Sequence, residues 1–318
     1  MIAAELRRAI RTAAGQPDTD PLLRPGRQPG SYVSSLPFRL APQAAAALPR
    51  RLAREPWIAT ADLTAPGYLT VTVTRDALAC LAVRITRAGP ACAASAALAG
   101  RTVPGPARAA DPAAAPDWPQ ARAALAEDLT ARLAAAAGAT VIFPAGRPVV
   151  SPPAPAAAIS VAVAYAGRDA VRFALARMPP GGVPPQPAAV ARHVLSNPAY
   201  AVRYAHAAAA AVLRWAASLG SGPAGFQPRL LMAPQELALL DALSWLPERV
   251  AAAARRGRPD EFAGYLEWLA SRTIETMSTT GFTTMLNISS ERLWLADAAR
   301  TGLAAGLGLI GVGAPERI

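Results

Sequence analysis

Ser196–Ala207 reads SNPAYAVRYAHA, and this stretch decides how the second half of the chain is organised. Asn197 followed by Pro198 marks a helix start. An Asn side chain accepts one of the free backbone N–H groups of a first turn, and Pro at the first helical position has no N–H to lose. Downstream, Tyr204, Ala208, Val212, Trp215 and Leu219 recur at spacings of four, four, three and four. That spacing predicts one apolar stripe of a long helix. Gly220-Ser221-Gly222-Pro223 ends it. Pro234–Ala254 reads as a second helix and Asp260–Met277 as a third. Ser289-Ser290-Glu291 opens a fourth, with Leu293, Ala296, Leu303, Leu307 and Ile310 facing inward. Consecutive helices joined by short breaks predict an all-α bundle.

Working outward, Met178–Pro187 (MPPGGVPPQP) is the strongest linker signal, because serial Pro and Gly exclude helix and central strand alike. Pro17–Pro29, Pro104–Pro119 and Pro144–Pro155 are further Pro-rich breaks. Residues 2–14 and 43–54 read as short helices. Tyr68–Thr74 (YLTVTVT) alternates apolar and polar residues behind a Pro66-Gly67 turn, which predicts a half-buried strand. Residues 119–137 read as an Ala/Leu helix, and Thr140–Phe143 and Ile159–Tyr165 as short strands. The expected architecture is therefore an α+β N-terminal module (1–88), a short mixed α/β middle (89–167) and an all-α C-terminal helical bundle (168–318).

Apolar residues make up 53% of the 318 residues, enough for real cores, and charged residues only 17%, too few for a wholly disordered chain. All 32 basic residues are Arg; there is no Lys. No residue can therefore supply a Walker-type lysine or a Schiff base. The net charge of +11 points to a polyanionic partner. Residues 1–105 carry 13 Arg against 6 acids, whereas residues 190–318 carry 12 against 10, so the excess sits mainly in the first third. Two cysteines (Cys80, Cys92) and two histidines (His193, His206) make a multi-ligand metal site improbable and fit reduced, buried thiols. The N-terminus carries Glu5, Arg7, Arg8 and Arg11, unlike a signal peptide. The longest uncharged apolar runs, Gly302–Pro315 and Ala88–Gly100, are shorter than the ~18 residues of a membrane span. A cytoplasmic protein without a membrane segment is expected.

Several segments resemble arginyl-tRNA synthetases. Ser196–Ala207 is similar to the helix that opens that family's anticodon-binding domain, where an NPxYYVQYAHAR-like pattern is typical. Arg168–Arg177 (RDAVRFALAR) resembles the helix leading into that domain. Ala233–Ala254 and Asp260–Arg272 resemble its next two helices, and Glu291–Ile318, ending GLGLIGVGAPERI, its closing helix and terminus. Tyr32–Ala41 (YVSSLPFRLA) and Ala65–Thr74 (APGYLTVTVT) resemble, more weakly, the family's N-terminal additional domain, which helps to hold the outer corner of tRNA. The resemblance implies a DALR-type anticodon-binding protein.

The departures bear on activity. Residues 89–167 stand where the family has its nucleotide-binding domain. His193 precedes Val194 and His206 precedes Ala207, so neither begins a HIGH-like motif, and without Lys there is no KMSKS loop. Phosphoryl and adenylyl transfer depend on fixed positive charge at the phosphates. The expectation is a non-catalytic relative with no catalytic residues, no cofactor and no metal.

Anticodon bases are held by stacking on aromatic rings and by hydrogen bonds to their edges. Tyr200 and Tyr204 match aromatic positions of the family motif. Tyr204 also lies on the apolar stripe, so stacking and core packing both remain open for it. Ala201 replaces a family aromatic. Arg203 stands where the family commonly has Gln, as a phosphate or base contact or as a solvated residue. His206 matches the family His, as an RNA contact or as a packed residue. Ala208 replaces an Arg, and Ile318 a terminal Met. In the N-terminal module Arg39, Arg50, Arg51 and Arg54 are the phosphate-contact candidates, or else an ordinary solvated face. tRNA is the expected partner. Docking on a synthetase or another protein, and a divergent arginine–tRNA ligase activity, are the alternatives.

Overall fold

The computed structural model describes residues 1–106, 110–143, 158–283 and 288–318. The expected break at Pro144–Pro155 lies outside them. In chain order the regular elements are α1 (Ile2–Ala14), β1 (Leu23–Pro25), β2 (Ser31–Ser34), α2 (Pro42–Leu52), β3 (Ile58–Thr64), β4 (Tyr68–Val73), α3 (Arg75–Ala79) and α4 (Leu81–Ala88). Then come β5 (Thr102–Pro104), α5 (Trp118–Ala136), β6 (Thr140–Ile142), α6 (Ala158–Ala166), α7 (Arg168–Arg177) and α8 (Pro187–Val190). The last are α9 (Pro198–Ser218), α10 (Pro234–Ser244), α11 (Leu246–Arg256), α12 (Pro259–Met277), α13 (Thr280–Thr283) and α14 (Ser290–Ile310).

The N-terminal module is an antiparallel sheet of order β1-β2-β4-β3 with helices packed on it. In β4, Leu69, Val71 and Val73 are buried while the Thr residues between them are not, as a period of two requires. α1 buries Ile2, Leu6 and Ile10, one residue per turn, and ends at Gly15 in the left-handed conformation. β5 and β6 form a separate parallel pair. In the C-terminal half, α9, α12 and α14 pack on one another, with α10, α11 and α7 around α12. α14 is long and apolar enough to cross a membrane by length and composition. It lies among the bundle helices, with Leu293, Ala296, Leu303, Leu307 and Ile310 all buried, as their spacing predicts.

Glycines set how closely α14 approaches its neighbours. A Cβ at Gly302 would lie 2.7 Å from Leu243 Cδ2, and one at Gly306 would collide with Leu266, itself fully buried. Gly306→Val is therefore expected to destabilise the fold by about 1–3 kcal/mol, read as a lower urea midpoint; an unchanged midpoint would show that the contact is loose.

Three expectations are corrected. Ile159–Tyr165 is helical, not a strand. Ile159 and Ala162 are buried at a helical spacing, and the alanines at 162, 164 and 166 favour helix. Pro234–Ala254 is two helices, not one, breaking at Trp245. Pro247 has no N–H to donate, and its ring would clash with the carbonyl four residues back. The stripe assigned to α9 is rotated. Val202, Ala205, Ala209, Val212 and Ala216 are buried, whereas Trp215 and Leu219 are each 56% exposed. Small side chains face inward because α12 and α14 lie close, and the bulky ones are left outside.

The buried apolar residues form one cluster that runs through all three expected regions. α4 and the turn after it pack on α14. The break at Trp245 faces the N-terminal module. The Tyr32 ring packs against Trp245, with centres 5.1 Å apart and planes tilted by 36°, and its hydroxyl lies 3.1 Å from Ser244 Oγ. Arg7 pairs with Glu248, and the Gly30 N–H donates to Asp241 at 2.9 Å. Burial pushes the Asp241 carboxyl up to about 6, against the pull of the Gly30 N–H. Because the folded value exceeds the unfolded one, the folded chain binds the extra proton between pH ~4 and ~6. This group therefore adds stability as the pH falls through that window and withdraws it as the pH rises. Asp241→Asn keeps an acceptor for Gly30 and removes the charge. The variant is expected to be the more stable protein at pH 7–8, with the difference shrinking toward pH 4.5 in denaturant titrations.

Candidate RNA-binding face

The side chain of Asn197 builds this face. It caps α9 by accepting from the Ala199 N–H at 3.2 Å, as its position before Pro198 predicts. Its amide also donates to the carbonyls of Val190 (2.8 Å) and Arg192 (2.6 Å), which folds residues 190–197 back over the helix start. That fold lays the exposed His193 on Tyr200, with ring centres 5.3 Å apart and planes 13° from parallel. Tyr204, one turn further along α9, continues the ladder at 5.7 Å and 24°. Three stacked rings thus line one flank of the helix, and both tyrosines are partly exposed. His193 was not among the candidates from sequence. Only the fold of the loop places it, and no spacing signal could have found it.

Arg203 is partly buried on the same helix, and its Nε is enclosed without a hydrogen-bond partner. No carboxylate pairs with it among the described residues. Arg203 thus shares α9 with Tyr200 and Tyr204 and carries a guanidinium that no acid neutralises among the described residues.

His206 is corrected from an RNA contact to a packing residue. It is 2% exposed, and its Nδ1 lies 2.9 Å from the Pro315 carbonyl. A carbonyl only accepts, so Nδ1 carries the proton. Burial holds the ring below the ordinary histidine range, and it is neutral at pH 7. With Arg214, which donates to the Glu316 carbonyl at 2.6 Å, it straps the C-terminal tail to α9.

The four candidate arginines of the N-terminal module, Arg39, Arg50, Arg51 and Arg54, are all exposed. Arg50 and Arg51 lie in the last turn of α2 and Arg54 just beyond it, while Arg39 ends a short 3-10 turn. Arg51 donates to the Ala13 carbonyl at 2.5 Å. Arg39, Arg50 and Arg54 make no ion pair among the described residues. Phe38 and Tyr68 meet edge to face at 5.0 Å beside Arg39, an exposed aromatic pair that the sequence reading did not single out.

No group of three or more His, Cys, Asp or Glu is placed to hold a metal ion among the described residues. Cys92 is buried, and burial pushes its thiol up to about 12, so it is an inert thiol at neutral pH. Cys80, expected to be buried, is only partly so.

Known proteins resemble this chain chiefly in its C-terminal half. Residues 202–318 match the DALR anticodon binding domain. The arginine–tRNA ligase of Micrococcus luteus is 38% identical over 169 residues, which cover 49% of this chain and 30% of that protein. Those of Paenarthrobacter aurescens and Clavibacter sepedonicus are 37% and 39% identical over 162 and 158 residues, covering 49% and 48% of this chain and 30% and 28% of the relatives. The matched stretch thus spans less than a third of these relatives' length. Thermus thermophilus arginyl-tRNA synthetase shares the fold, with a TM-score of 0.68 at 15% identity and coverage of 100% of both chains. The chain therefore carries a DALR anticodon-binding domain in its C-terminal half and is related there to arginine–tRNA ligases.

Proposed function

We propose that this protein binds tRNA without aminoacylating it. The observation that carries the reading is the ladder of His193, Tyr200 and Tyr204, held open at the start of the anticodon-binding helix by Asn197. Unstacked loop bases extend such a ladder, and Arg203 beside it neutralises a phosphate or meets a base edge. Arg39, Arg50, Arg51 and Arg54 supply further phosphate contacts on the N-terminal module. The absence of Lys from all 318 residues supports the non-catalytic part, since no KMSKS-type loop can form. Location in the cytoplasm, where tRNA resides, fits this role.

Binding to bulk tRNA, followed by fluorescence anisotropy, is expected to weaken steeply with salt. Each phosphate contact contributes a slope of about 0.7–0.9 in log K against log salt. Arginine-dependent ATP–pyrophosphate exchange is expected to stay at the blank. No binding at low salt contradicts the first half of the proposal, and exchange above the blank contradicts the second.

A further inference from the structure

A strongly basic cleft lies away from the aromatic face, on the seam between the N-terminal module and the helical bundle. It consists of two hollows of about 240 and 270 Å³ that share Arg7, Asp20, Glu248 and Arg255 in their linings. Arg8 and Arg11 of α1 line one side, Arg249, Arg255 and Arg256 of α11 the other, and Arg24 of β1 closes one end. Two acids stand among them, and both are engaged by Arg7, which pairs with Asp20 at 3.3 Å and also with Glu248. Arg256 is held by Glu261 at 2.6 Å, and Arg11 donates to the Thr19 carbonyl at 2.9 Å. Arg8, Arg24 and Arg255 are exposed, and their side chains make no ion pair or hydrogen bond among the described residues. The guanidinium of Arg249 lies 5.9 Å from the Tyr265 ring and makes no ion pair among the described residues.

We infer that this cleft is a second nucleic-acid site, which grips the phosphodiester backbone of RNA; the choice of RNA rests on the tRNA-binding reading above. Unpaired guanidinium groups that converge on a concavity raise the local potential and match phosphate oxygens in fork geometry. Their spread over three elements suits successive phosphates of a strand better than one small anion. A groove with two walls admits a strand and excludes the flat surface of a bilayer. The cleft exists only because the N-terminal module docks directly on α11, and the Arg7–Glu248 pair holds the two walls in register.

The test compares wild type with the triple variant Arg8→Gln/Arg24→Gln/Arg255→Gln. These side chains hold no internal partner, so the fold is expected to persist, which a circular-dichroism melt checks. Three probes are titrated: whole tRNA, an isolated anticodon stem-loop and a short oligouridylate. The expected result is a loss of at least ten-fold in whole-tRNA affinity at low salt. The slope of log K against log salt should fall by about 2. Stem-loop affinity should be unchanged, because the aromatic face is intact. Equal whole-tRNA slopes in the two proteins would overturn the cleft while leaving the tRNA reading in place. So would equal losses for stem-loop and whole tRNA. If wild type ignores the stem-loop yet binds oligouridylate through these arginines, the cleft stands and the anticodon reading fails. Binding of anionic vesicles with no nucleic acid bound would overturn the cleft as an RNA site.

Discussion

Replacing Arg172 with Met is expected to destabilise the fold by about 3 kcal/mol or more. Arg172 is buried where α7, α5 and the end of α14 meet. Its guanidinium donates to Asp128 at 2.8 Å, to the Ile310 carbonyl at 2.6 Å and to the Ala110 carbonyl at 3.0 Å. Removing it leaves two carbonyls without this donor and a buried carboxylate with only the half-exposed Arg132, 3.1 Å away, to neutralise it. A buried charge stripped of its partner costs far more than the intact pair contributes. The double variant R172M/D128L is therefore expected to recover much of the loss. Chemical denaturation of the two variants checks this. A single variant within ~1 kcal/mol of wild type would show that the site hydrates freely. Gly311 belongs to the same junction. Its φ of 70° and the closeness of the Arg172 guanidinium, 2.6 Å from where a Cβ would lie, both require glycine.

Tyr200→Ala is expected to weaken RNA binding by ten-fold or more and to leave stability nearly unchanged. Tyr200 is the middle ring of the ladder and only partly buried, so its loss interrupts the platform without opening the core. Each base stacked on an aromatic ring contributes about 1–3 kcal/mol, and 1.4 kcal/mol is ten-fold in affinity. Tyr200→Phe is expected to retain most of the binding, since the stack uses the ring face. A loss in Tyr200→Phe as large as in Tyr200→Ala would assign the effect to the hydroxyl instead.

The sequence made some of this legible and hid the rest for physical reasons. Asn197-Pro198 announced the start of α9 because capping is local chemistry. The further work of Asn197, holding the Val190 and Arg192 carbonyls, depends on a loop fold that no spacing encodes. For the same reason His193 could not be found. The buried stripe of α9 departs from the spacing expectation because bulk is no guide to burial there. In an alanine-rich bundle the close helix contacts are made by small residues, and Trp215 is left outside. Pro247 carried the signal for the break at Trp245. A Pro near the start of a second helix looks like one inside a longer helix when the flanks are rich in Ala and Leu. His206 lies in a family-like motif, which identifies its position but not its direction. The basic excess of the first third was visible in the composition. Its meeting with the arginines of α11 across a seam was not, because those residues lie more than two hundred positions away in the chain.

The ring ladder on α9 is the proposed surface that receives RNA. A low-salt titration of an anticodon stem-loop into wild type and Tyr200→Ala tests it directly. Saturable binding by wild type, weakened at least ten-fold in the variant, is the predicted result. No binding by wild type, or equal binding by both proteins, would contradict it.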